Sequence, residues 1–101
     1  MTTLTFIKNW TKQRTSFSFF LPTGSEGRPF DNQFSVEEVK AKDDCLIIAL
    51  SDGIEFSFKG NVSYKDEGCN LILFDFTSMS LSSNGVIEKE FYTGEFCLSG
   101  F

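Results

Sequence analysis

The sequence contains no histidine among its 101 residues. A chain without histidine cannot form a Ser-His or Cys-His nucleophilic pair. It also lacks the side chain that most often transfers protons near neutral pH and is a frequent zinc ligand. Many hydrolases and zinc enzymes are therefore excluded, and we expect a protein that is not an enzyme and holds neither metal nor cofactor.

Cysteine is scarce as well. The three cysteines, Cys45, Cys69 and Cys97, are far apart, and their number is odd. A disulfide-stabilised secreted domain would have an even number at closer spacing. Because each cysteine stands beside apolar residues, the sequence predicts buried, reduced thiols that pack as small hydrophobic side chains.

Long apolar runs and a recognisable leader are also missing. The first residues carry neither the basic segment nor the apolar segment of a signal peptide. The longest strictly apolar run, residues 46–50, is far shorter than the ~20 residues of a membrane-spanning helix. We therefore expect a cytoplasmic protein that does not enter a membrane.

Basic residues are outnumbered, at 9 against 14 acidic residues, for a net charge of −5. This balance argues against nucleic-acid binding, which needs clustered Lys and Arg to neutralise phosphates. The distribution is uneven, because residues 1–30 hold four basic residues and one acidic residue. Electrostatic attraction thus favours contact between the basic N-terminal segment and the acidic remainder of the chain. The acidic surface is either simply solvated or binds a cationic partner.

Phenylalanine, in contrast, is abundant, with 13 residues. Most of them alternate with polar residues, as in half-buried strands. About eight short strands, with turns every 8–12 residues, predict a mainly β fold: an antiparallel meander that forms a small sandwich or open barrel. At this length we expect residues 1–101 to be a single domain.

Residues 3–14 allow two interpretations. Apolar residues at helical spacing predict a short amphipathic helix, with Thr3 as N-cap and Trp10 on the face that packs on the sheet. The alternation of residues 3–6 would instead suit a strand. We favour the helix.

Residues 15–21 are predicted to be the first strand, ended by Pro22. Residues 33–42 are predicted to be a strand with a β-bulge at Glu37-Glu38, where the apolar alternation changes phase. The spacing of Ser35 and Glu38 also resembles a helical capping box, so a helix is the alternative there.

Further strands are predicted along the rest of the chain. Residues 45–50 are continuously apolar and predict burial on both faces. Residues 54–59 predict a half-buried strand, and residues 65–68 a turn. Residues 70–76 predict a strand that is apolar on both faces, and residues 86–98 predict the last hairpin.

A turn-rich loop carries the most distinctive motif. It contains Gly27-Arg28-Pro29-Phe30-Asp31-Asn32, is preceded by Phe20-Leu21-Pro22, and is followed late in the chain by Tyr92-Thr93-Gly94-Glu95. This arrangement resembles a group of small bacterial proteins of unknown function. They share an F-x-L-P stretch, a G-R-P-aromatic-D-N loop and an aromatic residue shortly before Gly-Glu. The resemblance implies a bacterial intracellular protein and implies no activity.

The same loop is the best candidate binding site. Arg28 could hold a carboxylate or phosphate through its guanidinium group. Phe30, Asp31 and Asn32 would complete the recognition surface. The alternative is a structural brace, in which Arg28 and Asp31 pair and Phe30 fills the core.

Acidic residues are weaker candidates. Asp75 lies between two phenylalanines and is predicted to be partly buried on the face of Leu71 and Leu73, so it is the one carboxylate considered for catalysis. Five other acidic residues lie at predicted turns, where a cationic partner could bind them: Asp43, Asp44, Asp52, Asp66 and Glu67.

The function best supported by these patterns is a non-enzymatic interaction, regulatory or accessory module. Its partner would be another protein or, through an uncovered edge strand, a second copy of the chain. The alternative is a binder of a small apolar ligand inside a barrel lined by phenylalanine.

Overall fold

The computed structural model describes residues 2–22 and 34–101. Within these ranges the chain forms two antiparallel β-sheets and one short helix, and the sheets do not close into a barrel. The predicted mainly β class with an N-terminal helix is therefore confirmed. The predicted loop of residues 23–33 lies outside the described residues.

The helix α1 spans Thr3–Lys12 and precedes all the strands. The strands are β1 (Phe17–Phe20), β2 (Val36–Lys42), β3 (Cys45–Leu50), β4 (Ile54–Lys59), β5 (Ser63–Glu67), β6 (Asn70–Phe74), β7 (Ser78–Ser83), β8 (Val86–Phe91) and β9 (Phe96–Gly100).

The nine strands are distributed between two sheets, and their order in each sheet differs from their order along the chain. One sheet has the order β1-β9-β6-β5, and the other has the order β2-β3-β4-β7-β8. The chain passes from one sheet to the other after β1, β4, β6 and β8. Strands distant in sequence therefore become neighbours: β4 pairs with β7, β6 with β9, and β9 with β1.

Phenylalanine rings from both sheets meet in the core. Phe56 lies 4.9 Å from Phe19 and 4.6 Å from Phe96, measured between ring centroids. Phe58 lies 5.3 Å from Phe96 and 5.7 Å from Phe76. These separations are typical of tilted and edge-to-face aromatic pairs, so the two sheets are joined by direct ring contacts.

The helix begins one residue earlier than predicted. Thr2 is the N-cap, and its hydroxyl accepts a hydrogen bond from the Thr5 amide at 3.1 Å. Thr3, predicted as the cap, instead donates its hydroxyl proton to the Val62 carbonyl at 2.8 Å. The sequence could not distinguish them, since both are threonines and either can cap a helix.

Helix α1 closes one side of the sandwich. Phe6 stacks on Tyr64 of β5, with ring centroids 4.2 Å apart, and the helix also packs against β2 in the other sheet. Lys8 and Lys12 lie on the exposed side of the helix, along a groove that Glu37 and Glu38 line from β2. Two lysines of the N-terminal helix thus lie beside the two glutamates of β2.

Arg14 fastens the end of the helix to the sheet. Its guanidinium group donates to the Trp10 carbonyl at 2.9 Å and to the Gly68 carbonyl at 2.8 Å. The same group lies 3.9 Å from the centre of the Trp10 ring. The side chains of Arg14 and Trp10 pack directly on the backbone of Gly100. A Cβ atom at position 100 would lie 2.6 Å from the Arg14 side chain and 3.0 Å from the Trp10 ring, so a larger residue there would push them away.

Four strand predictions are corrected. The last hairpin predicted at residues 86–98 does not form, because β8 and β9 lie in different sheets. The strand predicted at residues 70–76 ends at Phe74 and is buried on one face only, that of Leu71 and Leu73.

Strand β3 is buried on one face only, since Leu46, Ile48 and Leu50 are buried while the alternating residues are partly exposed. Its outer face lies on the open side of the five-stranded sheet, and its continuous apolar run reflects β-propensity rather than double burial. The turn predicted at residues 65–68 also lies later, because β5 continues through Glu67.

The bulge in β2 is confirmed. The pairing of β2 with β3 shifts between Val36 and Glu38, at the point where the apolar alternation changes phase. The extra residue lets Val39 face the core, where it is buried.

Replacing a core ring tests the aromatic contacts. We expect Phe56→Ala to lower the free energy of unfolding by about 3–5 kcal/mol, because it leaves a cavity between the sheets. Phe101→Ala is the matched control, since the Phe101 side chain is 67% exposed, and should change it by less than about 0.5 kcal/mol. Urea denaturation followed by circular dichroism measures both.

If the alanine variant does not fold, Phe56→Leu replaces it in the measurement. Because leucine leaves a smaller cavity, we expect it to lower the free energy of unfolding by less than alanine would, but by more than Phe101→Ala does. Equal stability of the variants at positions 56 and 101 would contradict this account of the core.

Candidate functional site

The candidate loop residues Arg28, Phe30, Asp31 and Asn32 lie outside the described residues, so their role as binding site or brace stays a prediction. The two ends of the loop are described. Pro22 lies against Gly94, and Phe34 exchanges two backbone hydrogen bonds with Phe17, at 2.8 and 2.9 Å. The loop therefore leaves from and returns to the edge of the four-stranded sheet.

The acidic hairpin ends have local structural roles. Asp43, Asp44 and Asp52 all have positive φ angles, between 52° and 66°, which tight turns require. Asp66 accepts a hydrogen bond from the Gly68 amide at 3.0 Å. These residues therefore shape turns, and the structure does not bring them together into one acidic site.

The predicted burial of Asp75 is wrong. Strand β6 ends at Phe74, and Asp75 is exposed with a φ of 65°. Its carboxylate accepts a hydrogen bond from the Ser63 hydroxyl at 3.0 Å. Asp75 bends the chain from one sheet toward the other and lines an open depression with Phe74, Phe76 and Glu95, so it is not enclosed by apolar residues as a catalytic carboxylate usually is.

The cysteines are free but less buried than predicted. Cys69 is exposed in the turn between β5 and β6, and Cys45 and Cys97 are partly buried on outer sheet faces. Burial raises the pKa of the Cys97 thiol, the Ser99 hydrogen bond opposes this rise, and nearby Glu67 and Glu95 add to it. Cys97 is therefore a poor nucleophile at neutral pH, since the thiolate is the reactive form.

Residues 2–22 and 34–101 contain neither a helix able to span a membrane nor a cluster of side chains able to hold a metal ion. No helix in these ranges is long and apolar enough to cross a membrane. In the same ranges, no three side chains among His, Cys, Asp and Glu come together as a group that could hold a metal ion.

Strand β8 is the most exposed strand among the described residues. It forms one edge of the five-stranded sheet, and all its residues except Phe91 are exposed. A strand that buries one face would alternate between buried and exposed residues. Strand β8 extends beyond the core and is exposed on both faces.

Three apolar side chains stand on this strand and just after it. Val86 is 65% exposed, Ile87 is 58% exposed and Tyr92 is 69% exposed. The residues between them include both charge signs, in the order Glu88, Lys89, Glu90. We name residues 86–92 the β8 ribbon.

A second β-bulge sets the direction of these side chains. Pairing of β8 with β7 skips Glu88, so that Val86, Lys89 and Phe91 oppose core-facing positions of β7. Ile87 lies opposite Ser82, on the outer face. The bulge therefore puts the first and last residues of β8 on the same side of the sheet.

The other edge strands, β1, β2 and β5, each contact a further element, although among the described residues no strand pairs with the outer edge of β2 or β5. Strand β5 is covered by α1 through Phe6, and β2 also packs against α1. Strand β1 is flanked by Phe34, which pairs with Phe17. Among the described residues, no element pairs with the outer edge of β8, which leaves its backbone groups open to a further strand.

The exposure of β8 has a signal in the sequence that is not a motif of unusual residues. The stretch Val-Ile-Glu-Lys-Glu-Phe places three charged residues in succession on a strand. Because successive side chains point to opposite faces, such a run puts charge on both faces of the strand. It therefore indicates a strand outside the core.

Comparison of the chain with protein-family models, with curated proteins and with solved structures gives no match.

The core does not favour the alternative of an apolar ligand. Phe56, Phe58 and Phe96 are fully buried and in contact with one another, where a ligand between the sheets would have to lie. A ligand there would have to displace rings that now pack together.

The β8 ribbon offers a pH test of its geometry. The Tyr92 hydroxyl donates to the Glu90 carboxylate at 3.0 Å, and this bond, together with repulsion between the two anions, raises the pKa of Tyr92. We expect Glu90→Gln to lower the pKa of Tyr92 toward its ordinary value, because the negative charge is removed.

The measurement is an NMR titration of the Tyr92 Cζ shift from neutral to alkaline pH in both proteins. The control is Glu88→Gln, which removes a carboxylate that makes no hydrogen bond to Tyr92 and should change the pKa less. An unchanged titration in Glu90→Gln would show that the two side chains are not in contact in solution.

Proposed function

We propose that the protein is a non-enzymatic interaction module that recognises another protein chain through the β8 ribbon. The observation that carries the proposal is the exposure of β8 on both faces and along its outer edge. The resemblance of the loop motif to small bacterial proteins supports a bacterial cytoplasmic setting.

Exposed apolar residues are the first support. Single apolar residues on a surface are ordinary, but Val86, Ile87 and Tyr92 fall within seven consecutive residues of one protruding segment. Interfaces commonly combine such aliphatic and aromatic contacts with a charged rim. Glu88 and Glu90 supply charge beside them.

Backbone availability is the second support. An edge strand can accept another strand through main-chain hydrogen bonds, while alternate side chains give specificity. Strand β8 is six residues long, which is enough for several such bonds. It is also held in place, because it pairs with β7, whose Met79 is buried in the core.

The non-enzymatic assignment rests on residue types and placement. The chain has no histidine. Asp75, the carboxylate considered for catalysis, is exposed at a bend between strands. Histidine-based catalysis therefore lacks its residue type, and Asp75 lacks the enclosed apolar surroundings typical of a catalytic carboxylate.

Photo-crosslinking in the cells that encode the protein tests the proposal. We expect a photoreactive phenylalanine at position 87 to give a discrete adduct, because Ile87 would lie inside the contact. Position 12 is the control, since Lys12 is equally open to solvent on α1, at the side of the sandwich that the helix closes. Mass spectrometry of the adduct identifies whether the captured chain is another protein or a second copy.

A second variant checks that capture depends on this surface. Crosslinking from position 92 should be lost when Ile87 is replaced by Asp, because a charge then replaces an apolar contact. The proposal is overturned if positions 12 and 87 give the same adducts or if position 87 gives none.

A further inference from the structure

We infer that Asn84, in the turn between β7 and β8, is a site of spontaneous deamidation, and that its contact with Gly53 controls the rate. Deamidation replaces the side-chain amide by a carboxylate. The chain has five asparagines, and only Asn84 is followed by glycine. Glycine favours the reaction, because it has no side chain to obstruct the approach of its own nitrogen. This chemistry is independent of the proposed function.

Both central residues of the turn are open to solvent. Asn84 and Gly85 are exposed, with φ angles of 53° and 85°, as in the two-residue turns that join antiparallel strands. Apart from its chain neighbours, nothing lies within 4 Å of the place where a Cβ of residue 85 would be. Among the described residues, the Gly85 amide donates a hydrogen bond to no other group. Its nitrogen is therefore free to react once it reaches the Asn84 side chain.

The reaction takes place between these two residues. The Gly85 nitrogen attacks Cγ of Asn84, so that a new N–Cγ bond forms and the bond from Cγ to the side-chain amide nitrogen breaks. The Gly85 amide proton leaves with that amide group as ammonia, and a succinimide ring remains. Water then opens the ring at either of its carbonyls. Opening at Cγ gives aspartate, and opening at the main-chain carbonyl gives isoaspartate, whose main chain runs through the former side chain.

The folded turn opposes this attack. Asn84 lies in the left-handed region, where ψ is about +47°. At that angle the Gly85 nitrogen points away from the Asn84 side chain, so the turn must open and rotate before the nitrogen can meet Cγ. Exposed loops with few contacts are the parts of a fold that open most readily. The rate of deamidation therefore depends on how often this turn opens.

Gly53 restrains the opening. The Asn84 amide donates to the Gly53 carbonyl at 2.9 Å, which connects this turn to the turn between β3 and β4. The side-chain carbonyl of Asn84 also packs directly on Gly53, so that a Cβ at position 53 would collide with it and would lie 3.1 Å from Cγ. Both contacts must break when the turn opens, and together they slow the reaction.

Deamidation alters the start of the β8 ribbon. Either product places a carboxylate beside Gly53, close to Asp52, and like charges repel. Isoaspartate also adds one carbon atom to the main chain, so the turn no longer matches the Ser83–Val86 pair that it closes. The modification therefore loosens β8 at the end where its exposed residues begin.

Timed incubation of the folded protein, followed by proteolytic digestion and mass spectrometry, tests the inference. We expect deamidation at Asn84 to be about tenfold or more faster than at Asn61. Asn61 is the matched control within the same molecule, since it is also exposed but precedes Val62, whose branched side chain obstructs the attack. A mixture of aspartate and isoaspartate identifies the ring intermediate, because direct hydrolysis gives aspartate alone.

The restraint is tested with Gly53→Ala, whose new methyl group displaces the Asn84 side chain. We expect deamidation at Asn84 to become about fivefold faster, the effect of losing one typical hydrogen bond. Gly68→Ala is the control, because Gly68 has nearly the same φ, 78° against 76°, in the turn between β5 and β6, and it should leave the rate unchanged. Circular dichroism confirms that each variant is folded. The unmodified chain unfolded in guanidinium chloride provides a second measure, and its Asn84 should react faster than in the folded chain.

Equal rates at Asn84 and Asn61 in the folded protein overturn the inference, and so does the formation of aspartate without isoaspartate. The restraint by Gly53 is overturned if Gly53→Ala and Gly68→Ala change the rate equally, or if Asn84 reacts no faster in the unfolded chain than in the folded one.

Discussion

The contact between Phe56 of β4 and Phe96 of β9 joins the two sheets, and the rest of the structure is arranged around it. These rings come from different sheets and lie 4.6 Å apart. Phe58 and Phe19 extend the same cluster within and across the sheets. Since aromatic rings bury a large apolar area, this cluster supplies much of the hydrophobic stabilisation that a domain of this size needs.

Local sequence patterns explain which parts of the fold could be predicted. The class, the helix and the bulge in β2 follow from periodicity, because each depends on residues within a few positions of one another. Strand order could not be predicted, since the pairing of β9 with both β1 and β6 depends on contacts across most of the chain. The double burial predicted for β3 was wrong because an apolar run does not reveal whether a second layer is present.

The candidate site likewise has one part that the local sequence indicates and one part that depends on the fold. Glycine, proline and arginine made the loop of residues 27–32 conspicuous, and its role as a site stays a prediction. Strand β8 has no unusual residue, and its exposure results from its place at the end of a five-stranded sheet beside a four-stranded one. The run of three charges was the only sequence signal, and it indicates exposure without indicating what binds.

Strand β9 lies between β1 and β6, and it follows every other strand along the chain. Its register joins Phe17 to Gly100, so the sheet that contains β1 cannot assemble until more than eighty residues have been synthesised. Contacts of such large sequence separation slow folding, because the chain loses the entropy of closing a long loop before the strand pair can form its hydrogen bonds. During synthesis on the ribosome, β1 therefore has no strand of its own sheet to pair with until β9 emerges, and the apolar surface left uncovered in the meantime favours aggregation.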